Sequence, residues 1–145
     1  MWKTKITGGA GSQLLMDSEV GLYATNANGN LYRYDLATGK ESLVSSLKIT
    51  SGVLIDSNHN LFFGCENLFY EITSEGKVLW KVDMNNTITG KPVMDEKGTI
   101  YVASIDNKVY ALTHGELRDP NLNMTLNGEV LAINYDGECV GGISF

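Results

Sequence analysis

The side chains able to do chemistry are few and scattered in this 145-residue chain. Cys65 and Cys139, its two thiols, lie 74 residues apart and match no CxxC metal hook. Each neighbours a glutamate, Glu66 or Glu138, which works against a reactive thiolate, so both read as small apolar fillers in or beside strands. His59 and His114 fall in expected turns, 55 residues apart with no nucleophile motif around either, and read as surface histidines. Asp56-Ser-Asn58-His-Asn60 imitates the first ligands of a calcium loop. Leu61, however, stands where such a loop needs Gly, and Asn67 where it needs a bidentate Glu, so the segment reads as a hairpin turn. Asn26-Ala-Asn28-Gly29 is a turn signal of the same kind. No catalytic, cofactor-binding or metal-binding residue is expected, and the chain reads as non-enzymatic. Two sequons, Asn85-Asn-Thr87 and Asn123-Met-Thr125, matter only in a secreted eukaryotic protein.

Charge narrows the partners. The net charge is −6, and no basic cluster exceeds the Lys3/Lys5 pair, so the footprint of a nucleic-acid binder is missing. No apolar run of signal-peptide or membrane-span length occurs, and neither element is expected. The compartment stays open.

An internal repeat supplies the framework on which these residues sit. Met16-Asp17, Ile55-Asp56 and Met94-Asp95 recur at steps of 39, and the next step lands on Ile133-Asn134. Leu22, Leu61 and Ile100 keep the same interval, each followed by an aromatic: Tyr23, Phe62 and Tyr101. Tyr32, Tyr70 and Tyr110 mark a later strand, and Gly39, Gly76 and Gly115 follow them. In the first unit the strands are read at about 12–16, 20–25, 30–35 and 40–47, with turn residues between them. Leu31, Arg33 and Asp35 alternate with Tyr32 and Tyr34 as a strand requires, and no helical period is sustained. Four short strands per unit of about 40 residues are the pattern of a β-propeller blade.

The segments 29–40, 72–81 and 98–112, including Asp35-Leu-Ala-Thr-Gly39-Lys40 and Val78-Leu-Trp80-Lys81, resemble the repeat of the quinoprotein-like (PQQ-like repeat) β-propellers. In that family a Gly turns the chain with positive φ, and a closing Trp packs between neighbouring blades. The first blade here is read as having Leu43 at the Trp position; the second keeps Trp80, and the third lacks the Trp. Trp2-Lys3, two periods before Trp80-Lys81, is read as opening the outer strand of a preceding blade. The resemblance admits a quinone- and calcium-dependent oxidoreductase, or a small-molecule sensor, of which this chain would be a fragment. Those enzymes use adjacent cysteines that are missing here, so no catalytic residue carries over and no cofactor is expected.

The expected fold is therefore all-β, a propeller of four-stranded antiparallel blades with about 3.5 blades in this chain. It is read as one domain: an outer strand at 2–6, repeats at about 11–48, 51–84 and 90–126, and a partial unit at 129–145 holding strands near 129–134 and 137–143. The open sheet surfaces call for a cover. That cover is either a homodimer closing an eight-bladed ring, in which the N-terminal strand of one copy completes the C-terminal half-blade of the other, or the remainder of a longer chain. The acidic residues Asp17, Glu19, Asp56, Asp95, Glu96 and Asp136 recur at first turns and collect on one face, read as turn-starting, solubilising residues. The aromatics are read as packing between blades. Function is expected in a non-enzymatic scaffold or protein- and peptide-binding module, whose partner-binding loops carry Asn26, Asn28, Asn30, Lys48, Thr50, Glu66, Asn67, Asn85, Asn86, Asp106, Asn107 and Lys108. The irregular stretch from Arg118 to Met124 is a further place for specificity.

Overall fold

The computed structural model describes residues 1–113, 130–134 and 139–143, and every regular element among them is a strand. Apolar and polar residues alternate with period 2 and are punctuated by Asp, Asn and Gly, so the chain folds back on itself as antiparallel hairpins. The first blade contains β1 (Ala10–Asp17), β2 (Gly21–Asn26), β3 (Leu31–Tyr34) and β4 (Glu41–Ser45), hydrogen-bonded in that order. The second contains β5 (Val53–Ile55), β6 (Leu61–Cys65), β7 (Leu68–Ile72) and β8 (Val78–Asp83), again in sequence order. The third contains β9 (Ile88–Met94), β10 (Thr99–Ser104) and β11 (Val109–Thr113).

Asp starts the turns for a visible reason. Asp56 Oδ1 accepts the backbone N–H of Asn58 and of Asn60, both at 2.9 Å, and Asp95 does the same for Lys97 and Thr99. These carboxylates cap their own turns.

The core lies between blades. Leu61, Phe63, Tyr70 and Ile72 of the second blade pack with Tyr23, Leu31 and Val44 of the first. The alternate residues Phe62, Phe69, Trp80 and Val82 pack with Ile88, Ile100, Val102 and Leu112 of the third. Both faces of the second blade are thus buried, and each fully covered aliphatic or aromatic side chain contributes roughly 1.5–3 kcal/mol. Within the second blade, aromatics of β6 and β7 support this packing: Phe62 and Phe69 stack with ring centroids 6.5 Å apart, and Phe63 and Tyr70 at 5.8 Å, whereas the marker Tyr101 of the third blade is exposed.

Three placements differ from the reading of the sequence. Residues 2–6 form no strand. They nevertheless hold Trp2 at the junction the repeat assigns to it, with the indole N–H donating to Leu36 O at 2.8 Å and the ring lying over Gly39. The position corresponding to Trp80 in the first blade is Ser42, because β3 pairs Arg33 with Ser42 whereas β7 pairs Glu71 with Trp80; Leu43 faces the other way. With no indole there, Arg33 Nη1 donates to Ser74 O at 3.1 Å, taking the place at the second blade's turn that Trp2 takes at the first. Lastly, β12 (Val130–Asn134) and β13 (Cys139–Ile143) form a hairpin in which β12 pairs antiparallel with β8, extending the second blade's sheet to six strands. An outer strand carries an unpaired row of N–H and C=O groups, and the hairpin satisfies that row on β8.

Candidate functional site: one rim of the blades

The turns joining second to third strands, and the connections between blades, come together at one rim. The backbone itself stitches them there. Ile49 N–H donates to Gly29 O at 3.0 Å, Thr50 N–H to Gly64 O at 2.9 Å, Ile88 N–H to Glu66 O at 2.8 Å and Ile105 N–H to Thr87 O at 3.0 Å. A continuous path of hydrogen bonds therefore runs from the 26–30 turn through 48–50, 64–67 and 83–88 to 105–108. Glu66, Asn85 and Asn107 sit in left-handed backbone conformation (φ of 56°, 64° and 65°), as tight turns demand.

The twelve loop residues singled out above divide by exposure. Asn28, Lys48, Thr50, Glu66, Asn85, Asn107 and Lys108 are exposed, and Asn30, Asn67, Asn86 and Asp106 are half-buried. Asn26 is buried and organises its own turn: its Oδ1 accepts from Asn28 N–H and Asn30 N–H, and its Nδ2 donates to Thr7 O at 3.0 Å. Asn67 and Asn86 are likewise engaged, with Asp83 and Asp106. Thr50 links two loops by accepting Glu66 N–H on its hydroxyl at 2.9 Å.

Two grooves, of about 290 Å³ and 430 Å³, open on this rim and share Gln13, Thr50 and Ser51. The first runs between the first and second blades past Thr25 and Asn26; the second continues over Gly52 and Gly90 to Lys91 on the third. Reading the sequence misses Gln13, and it takes in Ser51 only as part of the 48–52 connection. Gln13 donates through Nε2 to Ser51 O and accepts Val53 N–H on Oε1, both at 2.9 Å, thereby clasping the inner strands of two blades. Ser51 accepts Gly64 N–H at 2.6 Å. Within the strand pattern each is one more polar residue; the partners lie in other hairpins. Gly52 has no room for a side chain because Lys91 occupies the space: a Cβ there would stand 2.5 Å from Lys91 Cβ. The groove thus offers neutral side chains, among them the hydroxyls of Thr25, Thr50 and Ser51, with one cation, Lys91, a lining that hydrogen-bonds.

The opposite rim holds a charged cluster. His59 is not the isolated surface histidine the sequence predicts: its Nδ1 lies 2.6 Å from Asp17 Oδ2 and its Nε2 lies 3.1 Å from Glu19 Oε2. Both ring nitrogens face carboxylates, an arrangement only the imidazolium satisfies with two donors. The bond to Asp17 raises the His59 pKa, reinforced by the charges of Asp17 and Glu19. Burial works against ionisation of Asp17, but the bonds from His59 and from the Glu19 and Val20 N–H groups outweigh it and lower its pKa. Asp56, which begins the turn carrying His59, spends Oδ1 on that turn. Cys65 is half-buried beside Glu66, and burial followed by that carboxylate raises its pKa, as suits an inert thiol. Among the described residues no group of three His, Cys, Asp or Glu side chains is arranged to hold a metal ion. Nor is any helix there long and apolar enough to cross a membrane. His114, Asp136, Glu138 and the stretch 118–124 lie outside the described residues.

Comparison with known proteins agrees with this architecture. No curated protein matches the chain. Among solved structures, the crystal structure of BamB from Moraxella catarrhalis superimposes with a TM-score of 0.63 at 17% identity, covering 95% of this chain and 49% of that one. The chain thus spans about half the length of that relative, and at this identity the likeness speaks for the fold alone. The family model described as outer membrane protein assembly factor BamB, built on PQQ-like repeats, matches residues 27–120, more than half of the sequence. With its blades, its repeat and its turn chemistry accounted for, the chain belongs to the BamB-type PQQ-like repeat family of β-propellers.

Proposed function

We infer that this chain is a non-enzymatic propeller scaffold that binds a protein or peptide segment along the rim described above. One observation carries the reading: the groove shared by Gln13, Thr50 and Ser51 runs from the 26–29 turn of the first blade, past the 49–52 connection, to Gly90 and Lys91 on β9 of the third. Its lining suits an extended polypeptide, whose amides exchange hydrogen bonds with the neutral side chains of the groove, over a floor that Gly52 and Gly90 hold together by their own backbone hydrogen bond. The family description, an assembly factor for outer membrane proteins, concerns proteins that act on other proteins, in keeping with a binding role here.

Amide chemical-shift mapping of the 15.8 kDa chain against a panel of short extended peptides tests this reading. Saturable shifts are expected at Asn28, Thr50, Glu66 and Asn107, and none at the opposite-rim residues Asn58 and Glu96. A Thr50→Arg change, which projects a long cation into the groove, should weaken the shifts at least tenfold in peptide concentration, about 1.4 kcal/mol of binding free energy. Shifts centred on the opposite rim, or no saturable shift at the groove, would sink the idea.

A further inference from the structure

We propose that the groove between the first and second blades, on the rim that carries His59, binds a free α-amino acid, its carboxylate taken by Arg33 and Lys40 and its ammonium by Glu75. The site is separate from the peptide groove of the other rim, and every residue that lines it belongs to those two blades.

The groove stands where one indole of the repeat is missing. Trp80 is buried where the second blade meets the third, and Trp2 covers Gly39 of the first. Ser42, the counterpart of Trp80, is exposed, and beside its short side chain a cleft of about 520 Å³ lies between the first blade and the Ser74–Glu75 turn of the second. Small-molecule sites span roughly 300–1,000 Å³, so the cleft has the size of one. Arg33 lines it, half-buried and oriented by the bond from its Nη1 to Ser74 O.

The charges of the lining are only partly matched. Asp35 Oδ1 accepts the Ala37 and Thr38 N–H groups and the Thr38 hydroxyl, and Glu19 Oε2 faces His59 Nε2 at 3.1 Å. Arg33, Lys40 and Glu75 line the same groove, and among the described residues none of the three is in an ion pair. Two cations and one carboxylate are thus left without a countercharge. A dianion such as phosphate would be drawn to Arg33 and Lys40 but repelled by three carboxylates; a simple cation would meet the reverse. A ligand with both charges on neighbouring atoms satisfies both. The guanidinium fork matches a carboxylate in two parallel hydrogen bonds, and the three donors of an ammonium suit Glu75 together with the Ser42 and Ser74 hydroxyls. A free amino acid holds its ammonium and carboxylate on one carbon, whereas a peptide separates them by its length. Val20, the one apolar side chain of the lining, favours an aliphatic residue.

Amide chemical-shift titration of the intact chain with L-leucine reads the site. Saturable shifts are expected at Ser42, Ser74 and Glu75, with none at Thr50 or Glu66 of the other rim, so the result is distinct from peptide binding there. N-acetyl-L-leucine, which lacks the ammonium, and L-leucinamide, which lacks the carboxylate, should each need at least tenfold higher concentration. Lys40→Gln and Glu75→Gln, both at exposed positions and so compatible with folding, should each weaken L-leucine at least tenfold with an unchanged far-ultraviolet circular dichroism spectrum. Glu75→Gln should leave the response to N-acetyl-L-leucine as it was, and Lys40→Gln the response to L-leucinamide. Ser42→Trp, which returns an indole to the cleft, should abolish the shifts. The proposal is overturned by the absence of saturable shifts at the groove, by blocked forms that bind as well as L-leucine, or by shifts that survive all three substitutions.

Discussion

The indole of Trp2 rests on Gly39: a Cβ at residue 39 would stand 2.5 Å from the indole Cε3, and φ there is 74°. The turn glycine is thus required twice, by its left-handed backbone and by the ring above it. Gly39→Ala should destabilise the chain by about 1–3 kcal/mol, and Trp2→Ala by a similar amount through lost apolar contact and the hydrogen bond to Leu36 O. The two changes should not add. In the Trp2→Ala background only the backbone cost of Gly39→Ala remains, about 1 kcal/mol. Urea unfolding of the four species measures the coupling; strict additivity would mean that the ring and the glycine do not meet.

His59 ties the first blade to the second through Asp17 and Glu19, and its pKa is raised by those bonds. A raised histidine pKa contributes stability that is complete below the unfolded value near 6.5 and is lost as pH rises through the folded value. Asp17, whose pKa is lowered, contributes above its unfolded value near 3.8 and loses that contribution as pH falls through the folded one. The thermal midpoint of the unmodified chain should therefore fall relative to that of His59→Gln as pH rises above about 6.5, with the gap widest on the acid side of that rise. Parallel pH profiles for the two proteins would show that the imidazolium does not bridge the blades.

Gln13 accepts Val53 N–H and donates to Ser51 O. Gln13→Ala leaves both backbone groups without this partner and should cost about 1–3 kcal/mol. Gln13→Glu keeps the acceptor for Val53 but sets a carboxylate against the Ser51 carbonyl, so it should be no better than Gln13→Ala above about pH 5 and should recover when protonated. Chemical denaturation across that range reads the difference.

At the junction of the second and third blades, Gly64 faces Ile88 so closely that a Cβ would stand 2.7 Å from Ile88 Cβ. Gly64→Ala should overpack this junction and lower stability by about 1–3 kcal/mol. Hydrogen exchange should show the loss concentrated in β6 and β9, with the first blade's β2 and β3 protected as before. A uniform loss across all blades would indicate that the core unfolds as one unit.

The repeat, the strands and the turns of this chain are legible in its residues. Alternation of Leu61, Phe63 and Phe62 to opposite faces follows from the geometry of an extended backbone, and Asp56 capping its own turn is a bond to residues two and four places on. The gathering of 26–30, 48–52, 66–67, 85–89 and 106–108 on one rim follows from counting strands, because hairpins alternate their ends. Spacing alone puts Leu43 at the Trp position; the strand pairing that selects Ser42 depends on an irregularity between Leu31 and Tyr32 that spacing does not encode.

Whatever is enforced within one hairpin can be read without the fold: strand polarity, turn residues, the face on which each aromatic lies, and the membership of a propeller family. The contacts of His59 with Asp17, of Gln13 with Ser51 and Val53, of Arg33 with Ser74 and of Trp2 with Gly39 arise only when the blades assemble. Each joins residues 37 to 42 positions apart. Those separations are close to one repeat, the step at which separate sheets lie face to face. The reason is physical: alternation is a local consequence of sterics and burial, whereas the side chain met across a blade junction depends on how two independently formed sheets settle against each other.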